Sequence, residues 1–388
     1  MEDKIYLNCP YLSKCGGCKK TGKDYRHQLI VKNSQVASLL PKSCIVEPTI
    51  GAADPFCYRN KVHSAYARAK SGEILCGPYR EGSHKIVNVD SCKIENEIAG
   101  AIIRDVATIA AETKTKIYNE KTRAGDLRRC LVRVAQATGE VMVVIVTGSK
   151  YFKGKNLFCD KLLEMHPEIT TLLFDINERG DSLILSGNTR VIYGRGYITD
   201  TLLGMEFRIY PDTFYQVNHA QTETLYTTAI RIAGVTPEDY VLDTYCGIGT
   251  TTLAFAKMAG KVVGVELNPK SVKAAKRNAQ ANKFDNADFI CADATAFMQD
   301  AAAAKQTCDV LVLDPPRSGT TRAFIKAAGK LSPKKIVYIS CNPETLARDV
   351  SLFEKTGYSA VRAVPVDMFP WTAGIETVVM LSQEKGEE

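Results

Sequence analysis

Cys341 lies in the stretch Ile336-Val337-Tyr338-Ile339-Ser340-Cys341-Asn342-Pro343-Glu344-Thr345, where an apolar run meets a polar turn. A cysteine is a nucleophile only as its thiolate, so its surroundings decide its use. Asn342 suits a helix N-cap and Pro343 the first helical position, with Leu346, Val350 and Phe353 as the apolar stripe behind them. Cys341 is therefore expected at a helix N-terminus, a place that lowers a thiol pKa from its usual ~8.5. A carboxylate able to take a proton, Glu376, closes Asp367-Met368-Phe369-Pro370-Trp371-Thr372-Ala373-Gly374-Ile375-Glu376. Taken singly, one cysteine of thirteen is most often an inert buried thiol, and Glu376 ahead of Val378–Met380 an ordinary strand-end carboxylate. Their company reverses those odds.

Part of that company is Asp314-Pro315-Pro316-Arg317-Ser318-Gly319, which follows the apolar run Val310–Leu313. In methyltransferases acting on exocyclic amino groups, a similar acidic or amide residue and Pro-Pro precede an aromatic that stacks on the base. Arg317 stands there instead, which argues against adenine or cytosine N-methylation and for a substrate activated in another way.

A nucleotide-like cofactor is indicated upstream. Tyr240–Leu242 runs into Asp243-Thr244-Tyr245-Cys246-Gly247-Ile248-Gly249-Thr250, with a helix beginning within Thr251–Met258. Glycines there let a ligand approach the backbone at a helix N-terminus. Glu266, at the end of the next apolar run, is placed to accept hydrogen bonds from ribose hydroxyls. An NAD-type site needs a third glycine where Thr252 stands, so S-adenosylmethionine, with a ribose and no pyrophosphate, fits better. Asp293 in Cys291-Ala292-Asp293 either meets an adenine amino group or caps a helix.

The elements that position these residues fall into two textures. From about Met205 onward, apolar runs at Tyr240–Leu242, Val262–Val265, Val310–Leu313 and Ile336–Ile339 alternate with helical stretches such as Ser271–Asn282 and Glu344–Lys355. This predicts a doubly wound, mostly parallel α/β sheet with ligands beyond the strands' carboxyl ends. The first half lacks that rhythm. Asp24–Leu40 has helical spacing through Leu29, Val36, Leu39 and Leu40, whereas Leu131–Ala135, Val141–Val146, Leu172–Ile176 and Leu183–Leu185 suggest strands. An α+β domain over residues 1–205 and an α/β domain over 206–388 are expected.

Bulk properties agree. The chain has 388 residues, 45% hydrophobic, enough for two cored domains. Neither a leader-like apolar segment nor a run near the roughly 18 apolar residues of a membrane span is present. A cytoplasmic protein with reduced thiols is expected, and a monomer by default. The net charge of +7 tilts mildly toward polyanions. More telling is Tyr58–Lys70, YRNKVHSAYARAK, with Arg59, Lys61, Arg68 and Lys70, no carboxylate, and Tyr58 and Tyr66 between them. That mixture suits phosphate contact and base stacking, or equally a solvated strand face.

Taken together, D-P-P-R-x-G followed by I-V-Y-x-S-C-N-x-x-T resembles the RNA uridine-C5 methyltransferase family, and the resemblance spans essentially the whole chain. It implies a Rossmann-like class I methyltransferase domain, with Cys341 as nucleophile and Glu376 as general base. By the same resemblance Gln216, Tyr245, Glu266 and Asp314, with Thr250 and Asp293, bind S-adenosylmethionine, and Phe214 stacks on the base. Cysteine addition at C6 makes uracil C5 enolate-like, so it can attack a sulfonium methyl before its proton is removed. One segment departs: family members usually read D-M-F-P-H-T-x-H-hydrophobic-E, and Trp371 and Gly374 replace the two histidines.

Cys9, Cys15 and Cys18 are spaced C-x5-C-x2-C, and Cys92 follows in Val89-Asp90-Ser91-Cys92. The pattern reads as a metal site that zinc or iron–sulfur would fit equally. Members of the family that act on large-subunit (23S) ribosomal RNA resemble this pattern and carry a [4Fe-4S] cluster, so the resemblance implies one here. Many relatives also begin with a small β-barrel RNA-binding domain ahead of these cysteines. This chain starts at the cysteine motif, which shifts the expected RNA contact to Arg59–Lys70 and to Arg128, Arg129 and Arg133. The same chemistry on tRNA is the nearest alternative; an iron–sulfur RNA-binding factor on an inactive methyltransferase scaffold, or a zinc methyltransferase for another substrate, are more distant ones.

Overall fold

The computed structural model describes residues 4–19, 23–83, 85–181 and 183–383. A short α1 (Leu12–Cys15) precedes α2 (Tyr25–Leu39), which starts where Asp24 accepts the His27 amide at 2.9 Å. The inward face of α2 is Tyr25, Gln28, Lys32 and Val36, a largely polar face rather than the expected leucine stripe; Leu39 is exposed. The reason lies far along the chain, because the Asp367 carboxylate and the Trp371 amide wait there as partners for Lys32 and Gln28. After α2 comes the two-residue β1 (Ile45–Val46).

The α+β unit contains β2 (Lys61–Arg68), β3 (Ile74–Gly77), α3 (Glu97–Glu112), β4 (Leu127–Val134), β5 (Val141–Thr147), α4 (Lys155–Met165), β6 (Ile169–Ile176) and β7 (Thr189–Tyr193). Its sheet runs β3-β2-β4-β5-β6-β7. Ile102, Val106 and Ile109 of α3 and Phe158 and Leu162 of α4 cover one face. The other face, including Leu131, Met142, Val144 and Leu173, packs into a core shared with the C-terminal sheet. Leu183–Leu185 does not form the expected strand: the Leu183 and Ile184 carbonyls accept the Asn177 side-chain amide, and the edge strand forms later as β7. Tyr58 and Tyr66 are buried, their hydroxyls donating to the Pro370 and Ile103 carbonyls, so neither offers a face for base stacking. Arg128 is likewise bound, to Glu120 and the Asn177 carbonyl, and buried Arg133 donates to the Thr213 carbonyl.

A hairpin of β8 (Ile198–Leu202) and β9 (Met205–Ile209) leads through α5 (His219–Ala233) into the larger sheet. There β10 (Tyr240–Thr244), α6 (Thr250–Ala256), β11 (Lys261–Glu266), α7 (Pro269–Ala281), β12 (Ala287–Cys291), α8 (Ala294–Ala303), β13 (Val310–Leu313), α9 (Arg322–Leu331), β14 (Lys335–Ser340) and α10 (Pro343–Glu354) alternate, and β15 (Tyr358–Val366) and β16 (Glu376–Gln383) close the chain. The order is β1-β15-β16-β14-β13-β10-β11-β12. From β12 to β14 all pairs are parallel, and β16 enters antiparallel to both β14 and β15. Both faces are covered. Val310 and Val312 of β13 point into one core, Leu311 and Leu313 into the other.

Two features position the site. Strand β10 has β11 on one side and β13 on the other, so the winding reverses at its carboxyl end and opens a crevice there. In addition, β1 pairs in parallel with β15, so the N-terminal segment contributes a strand to the C-terminal sheet. Among the described residues, no helix is long and apolar enough to cross a membrane.

Candidate active site

The crevice at the end of β10 is a cavity of about 740 Å³. Strand β13 delivers Asp314 to it, β14 delivers Cys341, β16 begins with Glu376, and β11 ends in Glu266. Gln216, Tyr245 and Phe214 also border it. The structure thus brings together six of the eight residues expected at the catalytic and cofactor positions. Thr250 instead meets the Tyr226 hydroxyl at 3.1 Å, and Asp293 caps α8 by accepting the Ala296 amide at 2.9 Å; neither borders the cavity. Phe214 is 64% exposed, far from the ordinary core residue it could have been.

Local hydrogen bonds explain why the two motifs lie side by side. Asn342 caps α10 by accepting the Glu344 amide, and its own amide donates to the Arg317 carbonyl at 3.1 Å. Thr345 donates to that same carbonyl at 3.1 Å. Deeper in, buried Asp349 accepts the Thr320 amide at 2.9 Å and the Tyr338 hydroxyl at 2.7 Å. The Pro-Pro-Arg loop is therefore pinned to the helix that follows the nucleophile candidate. On the opposite wall, Glu266 accepts the Gly247 amide at 3.1 Å and the Asn268 amide at 2.7 Å, and Gly249 takes φ +87°, which an L side chain resists.

The electrostatics of the cavity are lopsided. Glu376 is 3% exposed, its Oε2 has no hydrogen-bond partner among the described residues, and burial followed by the nearby Asp314 holds its pKa well above the usual carboxylate range. Lost solvation pushes Asp314 up to about 7. Behind them Asp243, fully buried and bonded to the Thr252 hydroxyl at 2.6 Å, is pushed up to about 8, chiefly by burial. Arg317 opposes the shifts at Glu376 and Cys341. Such a set of desolvated carboxyls favours a cationic ligand.

Cys341 corrects the expectation drawn from its helix terminus. Burial, then Glu376 and Asp314, push its pKa up to about 11, so desolvation and neighbouring negative charge outweigh the helix N-terminus.

The segment 367–374 does more than its sequence indicates. Phe369, Thr372, Ala373 and Gly374 border the cavity, and nearly every handle on the segment comes from elsewhere. Asp367 accepts the Tyr25 hydroxyl at 2.7 Å and the Lys32 ammonium at 2.6 Å, both buried. Asn218 and Tyr58 donate to the Met368 and Pro370 carbonyls, and the Lys19 amide to the Trp371 carbonyl. Trp371, fully buried at φ +67°, packs among Tyr25, Phe56, Tyr58 and Ile94. It fills a core where a histidine was expected, and a Cβ on Gly374 would come within 2.9 Å of the Phe369 ring. A charged residue at a strand end, Asp367, was the available clue.

A second cavity, of about 250 Å³, is lined by Cys9, Cys15, Cys18 and Cys92, with Arg59, Arg104 and Glu95. Burial raises the thiol pKa of Cys15, and carries Cys18 to about 11 and Cys92 to about 12. Neighbouring cysteines add to each of these shifts. Among the described residues, no three Cys, His, Asp or Glu side chains converge as a ready metal-holding group. Arg59 and Gly17 border both cavities.

A doubly wound sheet with Glu266 beside its switch point, opening on desolvated carboxyls, defines a class I S-adenosylmethionine-dependent methyltransferase. The comparisons narrow this. Residues 182–384 match the family model described as tRNA (Uracil-5-)-methyltransferase. An uncharacterized RNA methyltransferase of Halalkalibacterium halodurans is 38% identical over 98% of this chain and 84% of that protein. One from Staphylococcus epidermidis is 37% identical over 100% and 86%. The crystal structure of Pyrococcus abyssi tRNA (uracil-54, C5)-methyltransferase with S-adenosyl-L-homocysteine superposes with a TM-score of 0.76 at 28% identity, covering 94% of this chain and 85% of that one. The chain belongs to the tRNA (uracil-5-)-methyltransferase family and is an RNA methyltransferase.

Proposed function

We propose that the protein methylates C5 of a uridine in 23S ribosomal RNA, with Cys341 as nucleophile and Glu376 as general base. The observation that carries this reading is that Cys341, Glu376 and Asp314 share one cavity with exposed Phe214 at its mouth. S-adenosylmethionine supplies an electrophilic methyl on a sulfonium, whose positive charge offsets the field of the carboxyls around Cys341. Cys341 loses its proton to solvent and its Sγ bonds to uracil C6, sending the π electrons toward C5 and O4. C5 then takes the methyl as the sulfonium's S–CH3 bond breaks, its electron pair staying on sulfur in the departing neutral thioether, S-adenosylhomocysteine. Glu376, with Oε2 unpaired, removes the C5 proton; the electrons re-form the C5–C6 double bond and expel the Cys341 thiolate. Phe214 stacks on the extruded base, and Gln216, Tyr245, Glu266 and Asp314 hold the cofactor. In this reading Thr250 and Asp293 support the cofactor walls from behind, through Tyr226 and the α8 cap.

The ribosomal assignment rests on the four N-terminal cysteines. Their donor chemistry, four half-buried cysteines lining one cavity, with neighbouring thiols adding to the raised pKa of Cys18 and Cys92, fits a metal centre that would hold them as thiolates. Cys9, Cys15, Cys18 and Cys92 would hold a [4Fe-4S] cluster, which would fix the N-terminal segment and take no part in methyl transfer. The tRNA reading is favoured by the likeness to the Pyrococcus enzyme. In either case residues 1–205 would serve RNA docking and 206–388 the chemistry, within a monomer.

The test is mass spectrometry of nucleosides after incubation with methyl-labelled S-adenosylmethionine, comparing wild type and Cys341→Ala on ribosomal RNA and tRNA separately. Labelled 5-methyluridine in ribosomal RNA, absent with the variant, is expected. Label confined to tRNA would move the substrate; none in either RNA would defeat the reading.

A further inference from the structure

A groove of about 340 Å³ lies beside the catalytic cavity, between α7 and the segments around β7 and residues 210–213. Its cations come from separate parts of the chain: Arg195 from the turn after β7, and Lys270, Lys273 and Arg277 from successive turns of α7. Helix α7 carries four cations, with Lys276 the fourth, and no carboxylate. A charged helix face is most often just a solvated one, and three observations set this face apart.

First, the cations line a concavity. Second, part of the set is held in place: the Arg277 guanidinium donates to the Tyr210 hydroxyl at 2.9 Å, and Arg195 and Arg208 lie over the Tyr197 ring at 4.9 and 5.4 Å. Asp212 and Glu140 pair with Lys270 and Arg195, whereas exposed Lys273 and Lys276 have no carboxylate partner among the described residues. Third, both walls run directly into the catalytic cavity. Thr213 of the groove precedes Phe214 of the cavity, and α7 starts just after Glu266.

We propose that this groove is a phosphate track for the RNA strand flanking the target uridine. Lys273 and Arg277 contact successive phosphates, while Phe214 meets the extruded base at the track's end. The proposal builds on RNA as the substrate and adds where its backbone runs. It also replaces Arg128 and Arg133, whose side chains are committed inside the fold.

The test measures RNA affinity at several salt concentrations for wild type, Lys273→Glu/Arg277→Glu and, as a single charge-reversal control on the opposite face of the sheet, Lys326→Glu. For the double variant the affinity is expected to fall at least about tenfold, and the log–log salt slope to shrink by about 1.5, as two lost phosphate contacts require. In turnover the loss enters through KM for RNA. The milder Lys273→Gln/Arg277→Gln, with an unchanged melting temperature, should show the same trend at smaller size. Equal affinity and slope in wild type and double variant, or an equal loss in Lys326→Glu, would overturn the track. If wild type makes no 5-methyluridine on any RNA while the double variant still binds more weakly, the track stands and the proposed reaction fails.

Discussion

The two cysteine-lined cavities differ in what surrounds their sulfur. Cys341 faces the buried Glu376 carboxyl and the half-buried Asp314. The other cavity is lined by four cysteines together with Arg59, Lys61, His63, Lys93, Arg104 and Glu95. In the first, the single lining thiol is shifted by neighbouring carboxyls against the opposing Arg317. The second sets four thiols among Arg59, Lys61, Lys93 and Arg104, with Glu95 as the lining carboxylate, a more positive setting. The same residue type thus meets opposite electrostatic surroundings in the two cavities.

Four experiments test how far the two cavities differ. The largest effect is expected for Glu376→Gln: turnover should fall by roughly 10²–10⁴. Because proton removal follows methyl transfer, a covalent RNA–protein adduct through Cys341 should accumulate, visible as a shifted band on a denaturing gel. A variant as slow as this with no adduct would place Glu376 before the covalent step. Next, Asp367→Ala leaves the Lys32 ammonium buried without its partner, and should cost about 3–5 kcal/mol in denaturant unfolding. Cys18→Ser/Cys92→Ser should lose bound iron and sulfide on elemental analysis. Retention of full iron content would remove those two cysteines from the proposed ligand set.

The smallest effect is on pH. Asp243 and Asp314 are raised from 3.8 to about 8 and about 7, so between those limits the folded protein binds more protons than the unfolded chain. Stability of the cofactor-free protein should therefore fall as pH rises from about 4 to about 8. Asp314→Asn should flatten part of that slope in thermal melts, and a slope unchanged by the variant would discount Asp314 as its source.

Much of the catalytic cavity was legible because its residues sit at strand ends within short motifs, where local spacing and local geometry coincide. Asn342 and Pro343 announced the helix after Cys341, and the alternation of runs announced the sheet. What escaped the sequence was whatever depends on distant partners. Burial sets the sign of the Cys341 shift, and Glu376 and Asp314, brought in by two other strands, add to it. The buried Tyr58 and Tyr66 could equally have been surface aromatics, since a strand's two faces are not distinguished by composition alone. Lys32 sits on the inner face of α2 only because Asp367 lies opposite, and the segment Leu183–Leu185 lost its strand to a single asparagine.

The pairing of β1 with β15 has a consequence for synthesis of the chain. Ile45 joins Arg362, Lys32 joins Asp367, and the Lys19 amide joins the Trp371 carbonyl, so each early segment is completed by one translated some three hundred residues later. At about 5–20 residues per second, α2 emerges from the ribosome and waits on the order of tens of seconds for its docking site. An inner face built from Tyr25, Gln28 and Lys32 can stay wetted through that delay, where a leucine stripe would invite aggregation. The polar interior of α2 thus suits a helix that must remain undocked until the last strands are made.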